Sequence, residues 1–472
     1  MSRHSLAANL NARAFVLIFG MGAAVLPLAG AQDAAAPAAS ELAWGGDFRF
    51  RNEYFNNALT LNDEAAGHQN DYFRARARFW AAYNPEAFAS FNLRATAEPR
   101  DWTHASYAKQ HVGPGPEWRY AIVDTLNAKF TAKGDSTSAT LTIGRQDIQY
   151  GDTMNWWLIA DGTPGDGSWT TFTDAVRLSI ESKSLQTTFD VICLNQGATP
   201  AARLDILGRQ TTYSLTEQNE RGVIVYASNK SIPKTQLDGY YIYKHDHKVF
   251  SSGDNADIHT VGAKLSGTPS PNFKYSIEAA TQWGAKQDSA VKVPIAATAR
   301  RDIQAFGANA SVTYFLRDAR ENRFGFAFEY LSGDKPGTGD KDEMFDILWG
   351  RYPRWSDVYI FSYAPEAGGR MAQMADLVRF GPTWGFTPVK NTTFSAVFNL
   401  LLAPEAVPTR ATNAALFSQS GHVRGQLVQL ILRRQFTKSL SGLLQAEFFQ
   451  QGTFYTHRDL QSFFRFELAM KF

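Results

Sequence analysis

The chain has 472 residues, with 47 basic against 45 acidic side chains, 13% aromatic residues and a single cysteine. Near-balanced charge excludes the basic excess of a nucleic-acid binder, and one cysteine excludes an intrachain disulfide framework. About 440 residues beyond the N-terminal segment is also too long for one soluble β-sandwich.

Residues 1–31 read as a cleaved secretory signal. Arg3 and Arg13 give a basic start, Ala14–Ala29 an apolar stretch interrupted by Pro27, and Ala29-Gly30-Ala31 a small-residue cleavage site before Gln32. The apolar stretch is shorter than the ~20 residues of a spanning helix. Cleavage removes two arginines and no acids, leaving 45 charges of each sign in residues 32–472. Any preference for charged ligands must then come from where the charges sit.

From residue 42 onward apolar and polar residues alternate with period 2. With turn residues as punctuation, the pattern predicts eighteen strands near 42–55, 71–83, 87–98, 119–132, 138–149, 172–183, 185–194, 220–230, 235–246, 258–266, 273–284, 305–316, 322–332, 374–386, 391–402, 424–436, 438–450 and 461–472. Tight links at Asn84-Pro85-Glu86, Lys133–Thr137, Ser231–Lys234, Gly267–Asn272 and Thr387–Lys390 alternate with long ones. The long ones are Asn56–Asn70, Pro99–Trp118, Tyr150–Thr171, Asn195–Asn219, Ala285–Gln304, Gly333–Gln373 and Ala403–Val423. An even number of strands joined alternately by short periplasmic turns and long external loops describes an outer-membrane barrel. The expected fold is therefore all-β, an antiparallel transmembrane β-barrel of about 18 strands in the outer membrane of a Gram-negative-type bacterium. A negative mean hydropathy is no objection, because lipid-facing residues alternate with lumen-facing ones.

The alternation assigns faces. Phe73, Ala75, Ala77 and Phe79 turn Arg74, Arg76 and Arg78 inward. Phe48 and Phe50 place Asp47, Arg49, Arg51 and Glu53 inside; Phe91, Leu93 and Ala95 do the same for Arg94, and Val176, Leu178 and Ile180 for Arg177. Phe324, Phe326 and Phe328 leave Arg323 and Glu329 inside, and Val428, Leu430 and Leu432 leave Gln429 and Arg433 inside. In the last strand Phe464, Phe466, Leu468, Met470 and Phe472 share one face, with Arg465, Glu467 and Lys471 on the other. An arginine on the lipid face near mid-membrane costs ~2–4 kcal/mol, which constrains these assignments. Asp124, set among Ile122, Leu126 and Phe130, fits as a bulge or rim position.

The inward set is rich in arginine, whose planar fork pairs bidentately with carboxylates. Such a lumen would concentrate anions while holding them weakly at several sites, as conduction requires. Pairing across the wall is the alternative for any one arginine, but three consecutive inward arginines exceed what nearby acids are expected to neutralise. Other constellations are weaker. His245 and His247 share a strand face and could hold a metal, but they precede a loop where polar residues are expected. His422, His457 and Ser462 are scattered, and nothing marks a nucleophile. Gly113-Pro114-Gly115-Pro116 is loop punctuation. In the longest link, Asp342–Trp349 has apolar spacing suited to a short helix, and Trp349, Tyr352 and Trp355 suit a lid, a sugar-stacking surface or a loop folded over the rim.

Four stretches together resemble the alginate-export family of outer-membrane porins. Asp47-Phe48-Arg49-Phe50-Arg51-Asn52-Glu53-Tyr54 opens the barrel, and Tyr72–Arg78 follows as an arginine-rich strand. Gly144-Arg145-Gln146-Asp147-Ile148-Gln149-Tyr150-Gly151-Asp152 is similar to the family's GRQ…YGD signature, and Phe328–Asp334 to its SGD strand end before a large loop. The resemblance implies a monomeric eighteen-stranded barrel whose arginine-lined constriction passes an anionic uronate polysaccharide, with Arg49, Arg74, Arg76, Arg94, Arg145 and Arg177 as lining candidates. Arg145 shares phase with Leu141 and Ile143, so it faces inward only if Gly144 makes a bulge. The alginate exporter also carries a large plug turn between its sixteenth and seventeenth strands. Here only Thr437–Ser439 is available, which favours an open pore or another regulator.

The expected function is an outer-membrane porin for anionic, uronate-type polysaccharides or oligosaccharides, without cofactor or metal. The pore-lining set is Arg49, Arg51, Arg74, Arg76, Arg78, Arg94, Arg145, Arg177, Arg323, Arg433, Arg465 and Glu467. Expected partners are outer-membrane lipid, the saccharide, periplasmic export proteins, and the barrel-assembly machinery through the Phe472 strand. Alternatives are a less selective porin for small anions or organic acids, a barrel enzyme, and an adhesive barrel without conduction.

Overall fold

The computed structural model describes residues 41–105, 115–117, 121–150, 172–198, 205–207, 216–291, 299–350, 355–370 and 374–472. The expected signal, Gly113-Pro114, the Gly151-Asp152 end of the GRQ motif and Tyr352 lie outside them.

Eighteen wall strands follow in chain order: β1 Leu42–Asn56, β2 Gln69–Glu86, β3 Ala89–Ala97 continued by Arg100–Ala105, β4 Ala121–Lys133, β5 Thr137–Gln146, β6 Thr173–Ser182, β7 Thr187–Gln196, β8 Gln218–Asn229 and β9 Thr235–Lys248. They continue with β10 Asn255–Ser270, β11 Phe273–Gln287, β12 Arg301–Phe315, β13 Arg323–Leu331, β14 Leu377–Phe386, β15 Thr392–Leu402, β16 Val423–Gln435, β17 Leu440–Gln451 and β18 Leu460–Lys471. Each pairs antiparallel with its neighbours in sequence, as in β1 with β2 and β17 with β18. The last strand returns to the first, from Asp47↔Lys471 to Asn56↔Ser462. Closure leaves no unpaired edge, which a sheet in lipid requires.

Two irregularities aim side chains inward. In β4 the register against β3 shifts between Arg94 and Ala95, so that Asp124 becomes the bulge residue and is buried at 1% exposure. In β5, Gly144 has φ +116°, and a Cβ there would lie 2.3 Å from the Leu126 carbonyl oxygen. This glycine reverses the phase of the strand, leaving Ile143 44% exposed and Arg145 6% exposed. The register runs through Gly144 without a shift on either side, so Arg145 is turned inward by the glycine's torsion and not by the bulge expected there.

The longest link, after β13, folds inside the barrel. Lys341–Asp342 pairs in parallel with Asp302 and Ile303 at the top of β12. Phe345, Ile347 and Leu348 then pack on inward wall residues including Ile192, Ile224, Ile242, Ile258 and Ile303. Further on, helix α1 (Asp357–Tyr363) buries Val358, Tyr359, Ile360 and Tyr363 against Phe55, Phe449 and Phe463. The helix expected at Asp342–Trp349 is therefore displaced to residues 357–363. Asp342 and Asp346 are drawn to Arg410 and Lys286, and Leu348 takes φ +51°, which no right-handed helix accommodates.

Candidate functional site

The wall brings the predicted inward charges together, and it supplies most of them with carboxylates. Arg49 Nη2 donates to Glu98 at 2.8 Å. Arg74 donates to both Glu98 and Glu53, the latter at 3.1 Å. Arg76 and Arg78 share Asp47, each at 2.7 Å. Arg51 pairs with Glu467, which lies 416 positions away in sequence across the closing seam. The three arginines of β2 are thus neutralised from β1 and from Glu98, against the expectation that nearby acids would not suffice. Glu98 closes the expected strand 87–98 on the phase of Arg94, but periodicity does not show which arginines an inward acid will meet.

Farther round, Arg94 grips Asp147 with both terminal nitrogens at 2.8 and 3.0 Å and donates to Asp124 at 2.7 Å. Arg145 reaches Asp174 at 3.0 Å and lies 3.6 Å over the Phe172 ring. Arg177 pairs with Asp190 at 2.7 Å. These pairs are partly open to solvent, with 27–32% of the Asp174, Arg177 and Asp147 side chains exposed, so they fix side-chain direction more than they add stability.

Two members of the predicted set differ. Among the described residues Arg323 and Arg433 form no ion pair. Arg323 Nη2 donates to Ser395 Oγ at 3.3 Å. Arg433 lies in the field of Glu467, Arg465, Arg323 and Asp357 without a carboxylate in contact. Arg323 opens β13 and Arg433 lies near the end of β16, so both are near the short-turn end of the lumen.

Arg465 has another task. It donates to Glu53 at 2.7 Å and clamps Asp357 at 2.7 and 3.1 Å, tying the inward loop to the seam. Beside it, Glu447 of β17 accepts from Ser356 Oγ at 2.7 Å and from the Asp357 and Val358 amides at 3.1 and 3.0 Å. Gln429 and Gln445 donate to the same carboxylate at 2.9 and 2.6 Å. The wall thus accepts hydrogen bonds from the otherwise unpaired amides at the start of α1.

The other side of the loop is held by charge. Lys286 reaches Asp346 at 3.0 Å and Asp254 at 3.4 Å. Arg410 pairs with Asp288 and with Asp342, Arg370 with Asp254, and Arg301 with Asp334. Burial alone would raise the acids Asp346 and Asp288; Lys286 beside the first, and Arg410 with Lys286 beside the second, more than reverse this and hold both below the ordinary carboxylate range. Sequence reading missed this cluster because its members come from four links and two strands. No three His, Cys, Asp or Glu groups among the described residues converge on a metal position. His245 Nδ1 instead lies 2.8 Å from Asp257 on the outer face.

The site is therefore the interior of a closed barrel, narrowed by an inward loop, whose inward phase carries guanidinium groups that are mostly countered by carboxylates and several of which are buried. Solved structures share the fold. Pseudomonas aeruginosa OccK8 (OprE) aligns over 91% of this chain and 98% of its own at 12% identity, with a TM-score of 0.52. Acinetobacter baumannii OccAB4 aligns over 91% and 98% at 11% identity and TM-score 0.51, and Pseudomonas aeruginosa OprD over 91% and 95% at 10% and 0.50. At such identities the likeness concerns the fold. Among curated proteins no sequence matches this chain. A family described as alginate export matches residues 40–464, which takes in the wall from β1 into β18. Membership and fold together support an outer-membrane channel, and on the extent of that match the chain belongs to the alginate export family.

Proposed function

We propose that this barrel is an anion-preferring channel of the outer membrane of a Gram-negative-type bacterium, passing acidic, uronate-type poly- or oligosaccharides. The observation that carries the reading is the pair Arg323 and Arg433, inward guanidinium groups without a carboxylate partner among the described residues. The paired arginines orient the wall, and this pair supplies positive potential that no contacting carboxylate cancels. An eighteen-stranded barrel leaves an aqueous lumen, and weak attraction at a few such points lets an anion enter and leave. A single barrel closed at β18–β1 needs no second copy to complete the conduit.

The test is planar-bilayer reversal potential under a salt gradient. R323S/R433S should lose most of the anion preference of the unmodified protein while keeping its conductance. Cation preference in the unmodified protein, or preference untouched by the double substitution, would sink the proposal. Arg74 and Arg76 are poorer probes, since removing one partner of a buried pair costs ~3–5 kcal/mol. The extensive pairing of the other arginines favours one second reading, a less selective channel for small anions or organic acids. Block of the ionic current by uronate oligomers at low concentration separates the two.

A further inference from the structure

One residue breaks the rule that exposed apolar side chains of the wall face lipid. Phe48, Phe73, Phe79, Leu126, Ile143, Phe306, Phe464 and the other strongly exposed apolar residues of the strands lie on the outward phase. Trp80 is 40% exposed, yet it lies on the phase of Arg74, Arg76 and Arg78. The β1–β2 register runs without interruption from Asn56↔Gln69 to Leu42↔Tyr83, so no bulge turns it round. Its other cross-strand neighbour is the inward Arg94. Other aromatics on the inward phase, including Phe55, Tyr72, Tyr226, Tyr240, Phe449 and Phe463, are buried at 0–7% exposure. Among the described residues Trp80 is the one large apolar wall side chain that is both inward and open.

It is also seated. A Cβ on Gly45 would lie 2.8 Å from Trp80 Cζ2 and 3.0 Å from Cε2, so the indole occupies the space a side chain would have taken. The usual reason for a tryptophan near a barrel end is a girdle at the lipid interface. Trp44 and Phe79, 6.2 Å apart on the outward face of the same two strands, already fill that role. An exposed indole on the inward face offers a flat apolar surface to whatever passes through the lumen. Beside it, Arg94 is fixed by Asp124 and Asp147, and Arg78 by Asp47. Both keep partial exposure, 18% and 17% of their side chains.

We infer that Trp80 is a stacking platform for a pyranose ring in transit, with Arg94 and Arg78 at its edge to meet ring carboxylates and hydroxyls. A pyranose presents C–H bonds on one face and polar groups round its rim. A rigid aromatic flanked by guanidinium forks complements both. The inference deepens the saccharide reading above and rests on it.

The experiment is block of single-channel current by a linear oligomannuronate, in bilayers, with selectivity measured on the same channels. W80A should raise the half-blocking concentration about tenfold, equivalent to about 1.4 kcal/mol. W80L, which keeps bulk without a planar ring, should match it, and W80F should stay within about threefold of the unmodified protein. Anion preference should not change in any of them, because Arg323 and Arg433 are untouched. Heat-modifiable migration on gels identifies variants that have refolded, and W80L carries the test if W80A does not. Unchanged block in W80A or W80L overturns the platform and leaves the anion channel standing. An oligomer that never blocks the unmodified channel, while anion preference persists, overturns the saccharide reading and the platform together.

Discussion

At the scale of single residues, the barrel shows how a backbone torsion decides the chemistry of a wall. Arg145 is at the lumen because Gly144 occupies φ +116° and reverses the strand's phase. Alanine there adds a Cβ 2.3 Å from the Leu126 carbonyl oxygen and a torsion costing on the order of 1–3 kcal/mol. G144A is expected to lower unfolding stability in detergent by at least that order, and to loosen the Arg145–Asp174 pair. Gly239 provides the control, since a Cβ there meets nothing within 4 Å; G239A should be near neutral. Equal denaturant midpoints for the two variants would contradict this account. The conflict of phase at Arg145 was readable from the chain, and so was its remedy, because a glycine preceded it. The partners were not readable. Arg51 and Glu467 meet across the seam from opposite ends of the sequence, and no period-2 pattern shows which acid a closing strand brings to which arginine.

At the scale of elements, the strands were legible and the inward loop was not. A strand between lipid and water has its alternation imposed on both faces, so all eighteen were visible from periodicity. Their edges differed in both directions: β10 extends beyond the expected range, where Asn255, Ala256 and Asp257 continue the ladder above the apolar band, while β5 stops at Gln146 and β14 begins only at Leu377. The loop after β13 obeys no such constraint. Its helix forms where Ser356 caps the Tyr359 amide and the wall carboxylate Glu447 receives the first turn. Ser356-Asp357 is a recognisable start signal, but the acceptor lies 90 positions away from Asp357. The docking is testable. E447L leaves the buried Ser356 hydroxyl and the first amides of α1 without an acceptor, each at a cost of ~1–3 kcal/mol. The loop should detach from the seam, seen as larger or noisier single-channel conductance, while E447Q, which keeps an oxygen acceptor, should change it less. Conductance and noise indistinguishable from the unmodified channel in E447L would show that α1 does not obstruct the path.

At the scale of the whole molecule, charge is nearly cancelled twice, in the sum over the sequence and pair by pair along the wall. On the proposed anion-preferring reading, positive potential in the lumen comes from a small number of groups, with Arg323 and Arg433 foremost. Such a field reaches only as far as the ionic atmosphere allows, about 10 Å at 0.1 M salt and about 3 Å at 1 M. A lumen wider than the second distance but comparable to the first should select anions at low salt and lose that preference as salt rises. The expected result is an anion-to-cation permeability ratio that falls towards unity between about 0.1 and 1 M salt, measured at a constant concentration ratio across the bilayer. In R323S/R433S the ratio should be near unity throughout. A ratio that holds at high salt would mean that ions shed water and touch the guanidinium groups directly in a narrow constriction, placing selectivity in contact binding rather than in the field of the lumen.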